Sequence, residues 1–194
     1  MSKISRGKKE ILEKVITILE KKNIRYAIAG PFANYVWGID RNVNDLYIVV
    51  EGYEYRSLKK EFSESGIRFR KLQHNDINNY IKLFIAECYV DDELESVVLM
   101  EKSANMPPEV IERAVGIEFI RGRIYYVVSP EDCILFKLIN KTPPDIKDAQ
   151  KIYYKMKGRL DLNYLKKMCK NYRINFKKIF AEVNNKKVEK IREN

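Results

Sequence analysis

The sequence predicts an α+β chain: a mixed β-sheet flanked by helices over residues 1–128, then a small helical module over 129–194. Three observations predict it. Stretches with apolar residues at helical spacing alternate with short apolar runs bounded by turn residues, which is the pattern of helices interleaved with strands. The charge is uneven: Lys137 to Asn194 holds 17 Lys+Arg against 6 Asp+Glu, whereas Met1 to Phe136 holds 20 against 21. The whole excess of a chain of net charge +10 therefore lies in its last third. Finally, 194 residues that are 45% hydrophobic, with 8 Gly and 6 Pro, are enough for a real core and exclude a disordered or collagen-like chain.

The elements follow in order. Ile11, Leu12, Val15, Ile16, Ile18 and Leu19 make an amphipathic helix over 8–22. Arg25 to Ala29 reads as a strand ended by Gly30-Pro31. Phe32 to Trp37 is a short helix with Pro31 near its first turn, stopped by Gly38. Asp45 to Val50 is apolar enough for a central strand. Residues 53–65 form a surface helix stopped by Gly66, and Ile67 to Leu72 alternates apolar with basic residues as an edge strand does. Tyr80 to Ala86 is a further strand. Asp91 or Asp92 is expected to cap a helix running to about Ala104. Gly116 to Arg121 and Ile124 to Val128 make a hairpin. Ser129-Pro130-Glu131-Asp132 is a helix start, followed by helices over about 131–140, 144–157, 161–172 and 175–190. Composition and periodicity both change at Ser129, which sets the boundary between the two modules.

Several function classes are excluded. No run of about 18 apolar residues exists to cross a membrane, and no apolar stretch follows the basic Met1 to Lys9 as in a signal peptide. Cys88, Cys133 and Cys169 are odd in number and far apart, and His74 is the single histidine. That rules out disulfide scaffolds, zinc ribbons and Ser-His or Cys-His machinery, unless His74 is the one base. A reducing cytoplasm is the expected location. A basic module on a neutral body suggests a phosphate-rich partner, with a solvated lysine-rich helical surface as the equal alternative. Tyr153, Tyr154, Tyr164, Tyr172 and Phe176 lie among these charges, mostly as helix core and otherwise as base-stacking platforms.

The informative segment is Tyr26 to Val50, YAIAGPFANYVWGIDRNVNDLYIVV. It resembles the opening motif of the nucleotidyltransferase superfamily of the polymerase-beta-like type. In that family a strand ends in Gly-Gly or Gly-Ser, a short helix follows, and a second strand carries Asp-hydrophobic-Asp. Here Gly30-Pro31 takes the first position and Asp45-Leu46-Tyr47 the second. Arg41, four residues before Asp45, resembles the linker of toxin-type enzymes from toxin–antitoxin modules. Val128-Ser129-Pro130-Glu131-Asp132, Phe136-Lys137-Leu138 and Asp145-Ile146-Lys147-Asp148 are similar to a second family stretch.

The resemblance implies magnesium held by carboxylates, clamping a triphosphate and activating a hydroxyl. Carboxylates at i and i+2 of a strand share a face, and a third comes from a neighbouring strand. The turn after the first strand lets backbone N–H groups approach phosphate. By that alignment Asp45 is the remaining first carboxylate. Tyr47 replaces the second with a neutral phenol, and Lys82, in Ile81-Lys82-Leu83-Phe84, replaces the third. Gly30, Pro31, Arg41 and Lys137 would face the nucleotide, with Pro31 lacking one N–H.

Each residue has a second reading. Asp45 is then a turn acid, Tyr47 strand core and Lys82 a solvent-facing edge residue. Lys137 and Asp148 form a structural ion pair, His74 sits in a loop and Trp37 in the core. Glu87, Asp91 and Asp92 are the alternative acids if the strand register differs.

The expected function is a nucleotidyltransferase-like protein with an eroded metal site, binding nucleotide or RNA through the Lys/Arg-rich C-terminal helices, without efficient transfer and without a cofactor. Two alternatives stand beside it. One is an active, Mg2+-dependent enzyme moving a nucleoside monophosphate onto RNA, protein or a small molecule. The other is a protein-interaction partner in a toxin–antitoxin-like system. No membrane partner is expected.

Overall fold

A computed structural model describes residues 3–72, 82–103 and 106–180. The first apolar stripe folds as α1 (Arg6–Lys21), with Ile11, Leu12, Val15, Ile16, Ile18 and Leu19 buried. Ser5 caps it, its hydroxyl accepting the Lys8 N–H at 3.1 Å. After it come β1 (Arg25–Ala29), α2 (Gly30–Val36), β2 (Tyr47–Glu51), α3 (Tyr55–Glu64), β3 (Arg68–Lys71), β4 (Leu83–Val90), β5 (Glu93–Glu101), β6 (Val115–Glu118) and β7 (Ile124–Val127). The chain continues with α4 (Pro130–Asn140), α5 (Pro143–Lys155) and α6 (Leu162–Asn171), and residues 176–180 are again helical. None of the described helices is long and apolar enough to cross a membrane.

The seven strands among the described residues form one mixed sheet in the order β3-β4-β5-β2-β1-β7-β6. Strand β2 is central, antiparallel to β1 and parallel to β5. The expected α+β architecture is thus the observed one. The two faces of the sheet are legible in β5, where Glu95, Val97 and Leu99 are buried while Ser96, Val98 and Met100 are half-buried. Helix α1 lies on the buried face: Lys8 pairs with Glu95 at 2.8 Å, and a Cβ on Gly7 would collide with the Glu95 carboxylate. The half-buried face is the one that Tyr47 shares, because Tyr47 is the register partner of Val98.

One expectation is overturned. Residues 91–103 are not the helix expected to run from Asp91 or Asp92; they turn a hairpin and return as β5, antiparallel to β4. Asp91 and Asp92 have φ of 48° and 64° and connect Val90 to its partner Glu93 as a two-residue turn. That turn requires two left-handed residues, normally Asn-Gly or Asp-Gly. Two aspartates followed by Glu93 and Glu95 look instead like a helix cap with an acidic first turn. The burial alternation from Glu95 to Leu99 decides the segment for the sheet. The preceding strand also begins later than expected, at Leu83, and runs on to Val90; Tyr80 and Ile81 lie outside the described residues. Asp92→Gly is expected to stabilise the chain by about 0.5–1 kcal/mol, since glycine takes φ > 0 without strain. An upward shift of the urea midpoint is the check.

The chain divides into two compact units, Met1–Tyr35 with Asp40–Ser129 and Val36–Ile39 with Pro130–Asn194. The first holds the sheet. In the second, α4 packs on α5 and α6. Its core includes the Tyr164 hydroxyl donating to Asp132 at 2.7 Å and the Tyr153 ring stacked on Phe180 at 4.3 Å between centroids. Phe176 joins this group, 4.7 Å from Phe180. Its lysines, among them Lys147, Lys151, Lys166, Lys167 and Lys170, are exposed. The outer half of the last expected helix, beyond Phe180, lies outside the described residues.

Candidate functional site

The site is built where β1 runs into α2 beside the start of β2. Strand β1 ends at Ala29, the register partner of Tyr47. Gly30 follows with φ +64°, a conformation that favours glycine. A Cβ at Gly30 would lie 2.8 Å from Cδ2 of the Tyr47 ring. Glycine is therefore required twice over, by the turn and by the ring against it. Phe32, on the next turn of chain, is fully buried and meets Phe119 edge-on at 5.0 Å, which anchors α2 to the sheet unit.

Asp45 is exposed and lies two residues before the first strand residue of β2, Tyr47. Tyr47 is half-buried; burial, and then the charge of Asp45, push its hydroxyl above the ordinary phenol range. It is a neutral phenol at pH 7. Arg41 is exposed in the loop leading to Asp45, and Pro31 is half-buried beside Gly30. The structure thus brings Gly30, Tyr47 and Asp45 together.

It does not bring Lys82 to them. Lys82 is the neighbour of Glu101, whose N–H donates to the Lys82 carbonyl at 2.9 Å and whose carboxylate pairs with the Lys82 ammonium at 3.1 Å. Glu101 is the partner of Val50, five residues beyond Asp45 along β2. Lys82 is therefore roughly 16 Å down the strand direction from Asp45, at ~3.3 Å per residue. The expected substitution of a third carboxylate by Lys82 is corrected accordingly. The strand beside β2 is β5, in the segment expected as a helix; Val98 faces Tyr47 from it, and Ser96 lies two residues before Val98 on the same face.

Carboxylates that share this face include Glu51, at the far end of β2 and paired with Lys102 at 3.2 Å, and Glu87. Glu87 stands opposite Ser96 on β4, two strands from β2 and so about 10 Å across the sheet from Asp45. It is 8% exposed and already engaged, accepting two hydrogen bonds from Arg70 at 3.1 and 3.4 Å, with Arg68 at 3.9 Å. It is the acid that the sequence offered as an alternative, neutralised by guanidinium groups. Asp91 and Asp92 are at the hairpin turn instead.

These residues do not fit the metal site that the fold implies. Magnesium needs hard oxygen ligands converging on one point. Here one exposed carboxylate stands beside a neutral phenol, a valine and a serine. Among the described residues no group of three His, Cys, Asp or Glu side chains converges to hold a metal ion.

Lys137 lies in the other unit. Its ammonium pairs with Asp145 at 2.7 Å and with Asp148 at 3.4 Å, tying α4 to α5. Trp37 is buried, 8% exposed. His74 lies outside the described residues. All three cysteines are buried and free.

Comparison with known proteins agrees with this frame. A family model described as a nucleotidyltransferase of unknown function (DUF6036) matches residues 75–193. A nucleotidyltransferase-like antigenic protein from Paracoccidioides brasiliensis has a similar structure, with a TM-score of 0.57 and 15% identity over 91% of this chain and 98% of that one. The enzyme ANT(2")-Ia, solved with adenylyl-2"-tobramycin, gives a TM-score of 0.55 and 18% identity over 84% of this chain and 95% of that one. A putative nucleotidyltransferase from H. pylori gives 0.53 and 15% over 87% and 77%. At these identities the likeness is one of fold. No curated protein matches the chain in sequence. The narrower likeness to toxin-type enzymes is carried by the sequence motifs alone. The fold and the matched span, well over half of the chain, agree: it belongs to the family of nucleotidyltransferases of unknown function, DUF6036.

Proposed function

We propose that this chain is a nucleotidyltransferase-fold binding protein that holds nucleotide or RNA without efficient nucleotidyl transfer and without a resident metal. The observation that carries the reading is the face of β2. Where the chemistry asks for two or three carboxylates, the start of β2 presents Asp45, with Tyr47 over Gly30 and with Val98 and Ser96 on the neighbouring strand. The exposed lysines of α5 and α6 supply affinity for phosphate, and such binding falls steeply with salt.

Calorimetry of the wild-type chain with ATP and GTP, with magnesium or manganese, is the test. No metal-dependent binding is expected. Binding of a single-stranded RNA is expected to weaken by at least about tenfold between 50 and 200 mM salt. Metal-dependent triphosphate binding with magnesium-dependent labelling, lost in Asp45→Ala, would overturn the reading.

That outcome would favour the alternative of an active, divergent enzyme. One observation speaks for it: Glu87 shares the face of Asp45. Arg70 would have to release Glu87 for it to serve.

A further inference from the structure

We infer that the outer face of α1, together with the turn between β6 and β7, forms a second binding site in the sheet unit, one that takes phosphate groups of a nucleotide or RNA. It is separate from the face of β2, since α1 covers the opposite side of the sheet. All of its residues belong to the sheet unit, whereas the lysine-rich helices belong to the other.

A cavity of about 580 Å³ lies there, lined by Arg6, Lys9 and Lys14 of α1, Arg121 of the turn, and the carboxylates Glu10 and Glu13. That volume is in the range of pockets that hold nucleotide-sized ligands. The α1 residues recur at three- and four-residue spacing, so they form one stripe facing away from the buried Ile11, Leu12, Val15 and Ile16.

The charges do not cancel. Lys14 and Glu10 satisfy one another at 2.9 Å. Arg6 reaches Asp91 only at 3.6 Å, and both are largely exposed. Lys9 makes no ion pair among the described residues, its ammonium lying 5.7 Å from the centre of the Phe119 ring. Beyond the hydrogen bond from Lys14, Arg6 and Arg121 act on Glu10 through space, helping to hold its carboxyl below the usual range. Four cations, Arg6, Lys9, Lys14 and Arg121, therefore face the cavity against two carboxylates, Glu10 and Glu13, in a unit that the sequence makes neutral overall.

Arg121 adds a further argument. The turn closes with the Arg123 N–H donating to the Ile120 carbonyl at 3.0 Å, and its central residues Arg121 and Gly122 have φ of 52° and 74°. Glycine or asparagine is the ordinary occupant of such a position. This turn instead puts a long cation there, at the rim of a cavity that already holds Arg6 and Lys9.

The identity of the ligand rests on the proposed function; the existence of the site does not. The test uses the full chain, a labelled 12-nucleotide single-stranded RNA, and ATP without metal, in 50 mM salt. Arg121→Gly removes the cation while relieving the left-handed backbone, so a folding defect cannot explain a loss of binding; Lys9→Gln is the second variant. Each is expected to weaken RNA binding about three- to tenfold and to reduce the salt dependence by about one phosphate contact. Loss for RNA alone assigns a polynucleotide site, and equal loss for ATP a site for the free nucleotide. Unchanged binding in both variants, with loss in Lys166→Gln/Lys167→Gln, would overturn this site and leave the proposed function standing. Absence of any binding by the wild-type chain would overturn both.

Discussion

Replacing Tyr47 and Val98 together with aspartate is expected to give the chain magnesium- or manganese-dependent nucleoside triphosphate binding, at least about 100-fold tighter than the natural sequence shows. The register dictates the choice. Position 47 lies two residues beyond Asp45, the spacing that puts side chains on one side of an extended chain, and the Asp45 charge acts on the Tyr47 hydroxyl. Val98 is the parallel partner of Tyr47, one strand spacing of about 4.8 Å away. Aspartate at both positions puts three carboxylates within reach of one or two divalent ions. The change at 47 also removes the ring that lies against Gly30. Val98 is only half-buried, so the added charge is wetted and its cost without metal is small. With metal the same residues stabilise the fold: a ligand at 100 times its dissociation constant adds about 2.7 kcal/mol. Calorimetry and a melting temperature that rises with metal only in the double variant are the two measurements. Lys82→Asp with Tyr47→Asp serves as the control and is expected to do nothing, because Lys82 pairs with Glu101 at the other end of β5. Metal-dependent binding restored by that control, and not by Val98→Asp, would sink the structural assignment.

The contrast between Val98 and Lys82 shows what the sequence could carry. The frame around the site was legible because it is local: a strand, a glycine at its end, a short helix and a second strand occur in about 25 residues, with Gly30 at the end of β1 and with β2 starting at Tyr47, two residues later than the expected Asp45. The third position was not legible, because it depends on which strand lies beside β2. That neighbour is β5, separated from β2 in sequence by α3, β3 and β4. Its turn, Asp91-Asp92, lacks the glycine that marks most two-residue hairpins, so the pattern of β5 resembles a capped helix and hides the strand beside β2. The alternation of Glu95, Val97 and Leu99 was the signal that could have found it, weakened because one of the three inward residues is charged. Glu95 is tolerated there because Lys8 of α1 meets it, a contact that only the tertiary fold makes. The Arg70–Glu87 pair was hidden for the same reason, since a cross-strand ion pair depends on register.

Asp132→Ala is expected to destabilise the helical unit by about 2–4 kcal/mol. Asp132 has no exposed surface, although aspartate is rarely buried unless it is paired. Its position explains the exception. It stands in the first turn of α4, where the unpaired N–H groups of the helix end favour a negative charge. It also accepts a hydrogen bond from the Tyr164 hydroxyl of α6 at 2.7 Å, a distance typical of a charge-assisted O–H bond. Alanine removes the charge at the helix end and strands a buried phenol donor, and an unmet donor costs about 1–3 kcal/mol. Tyr164→Phe removes the donor alone and is expected to cost less. The double variant is expected to fall short of the sum of the two single losses by about 1 kcal/mol, because the stranded hydroxyl is then gone. Urea unfolding followed by tryptophan fluorescence reads this unit selectively, since Trp37 is the chain's one tryptophan and belongs to it. A midpoint shift for Asp132→Ala no larger than that of an exposed lysine substitution such as Lys167→Gln would show that this buried carboxylate does not hold α4 to α6.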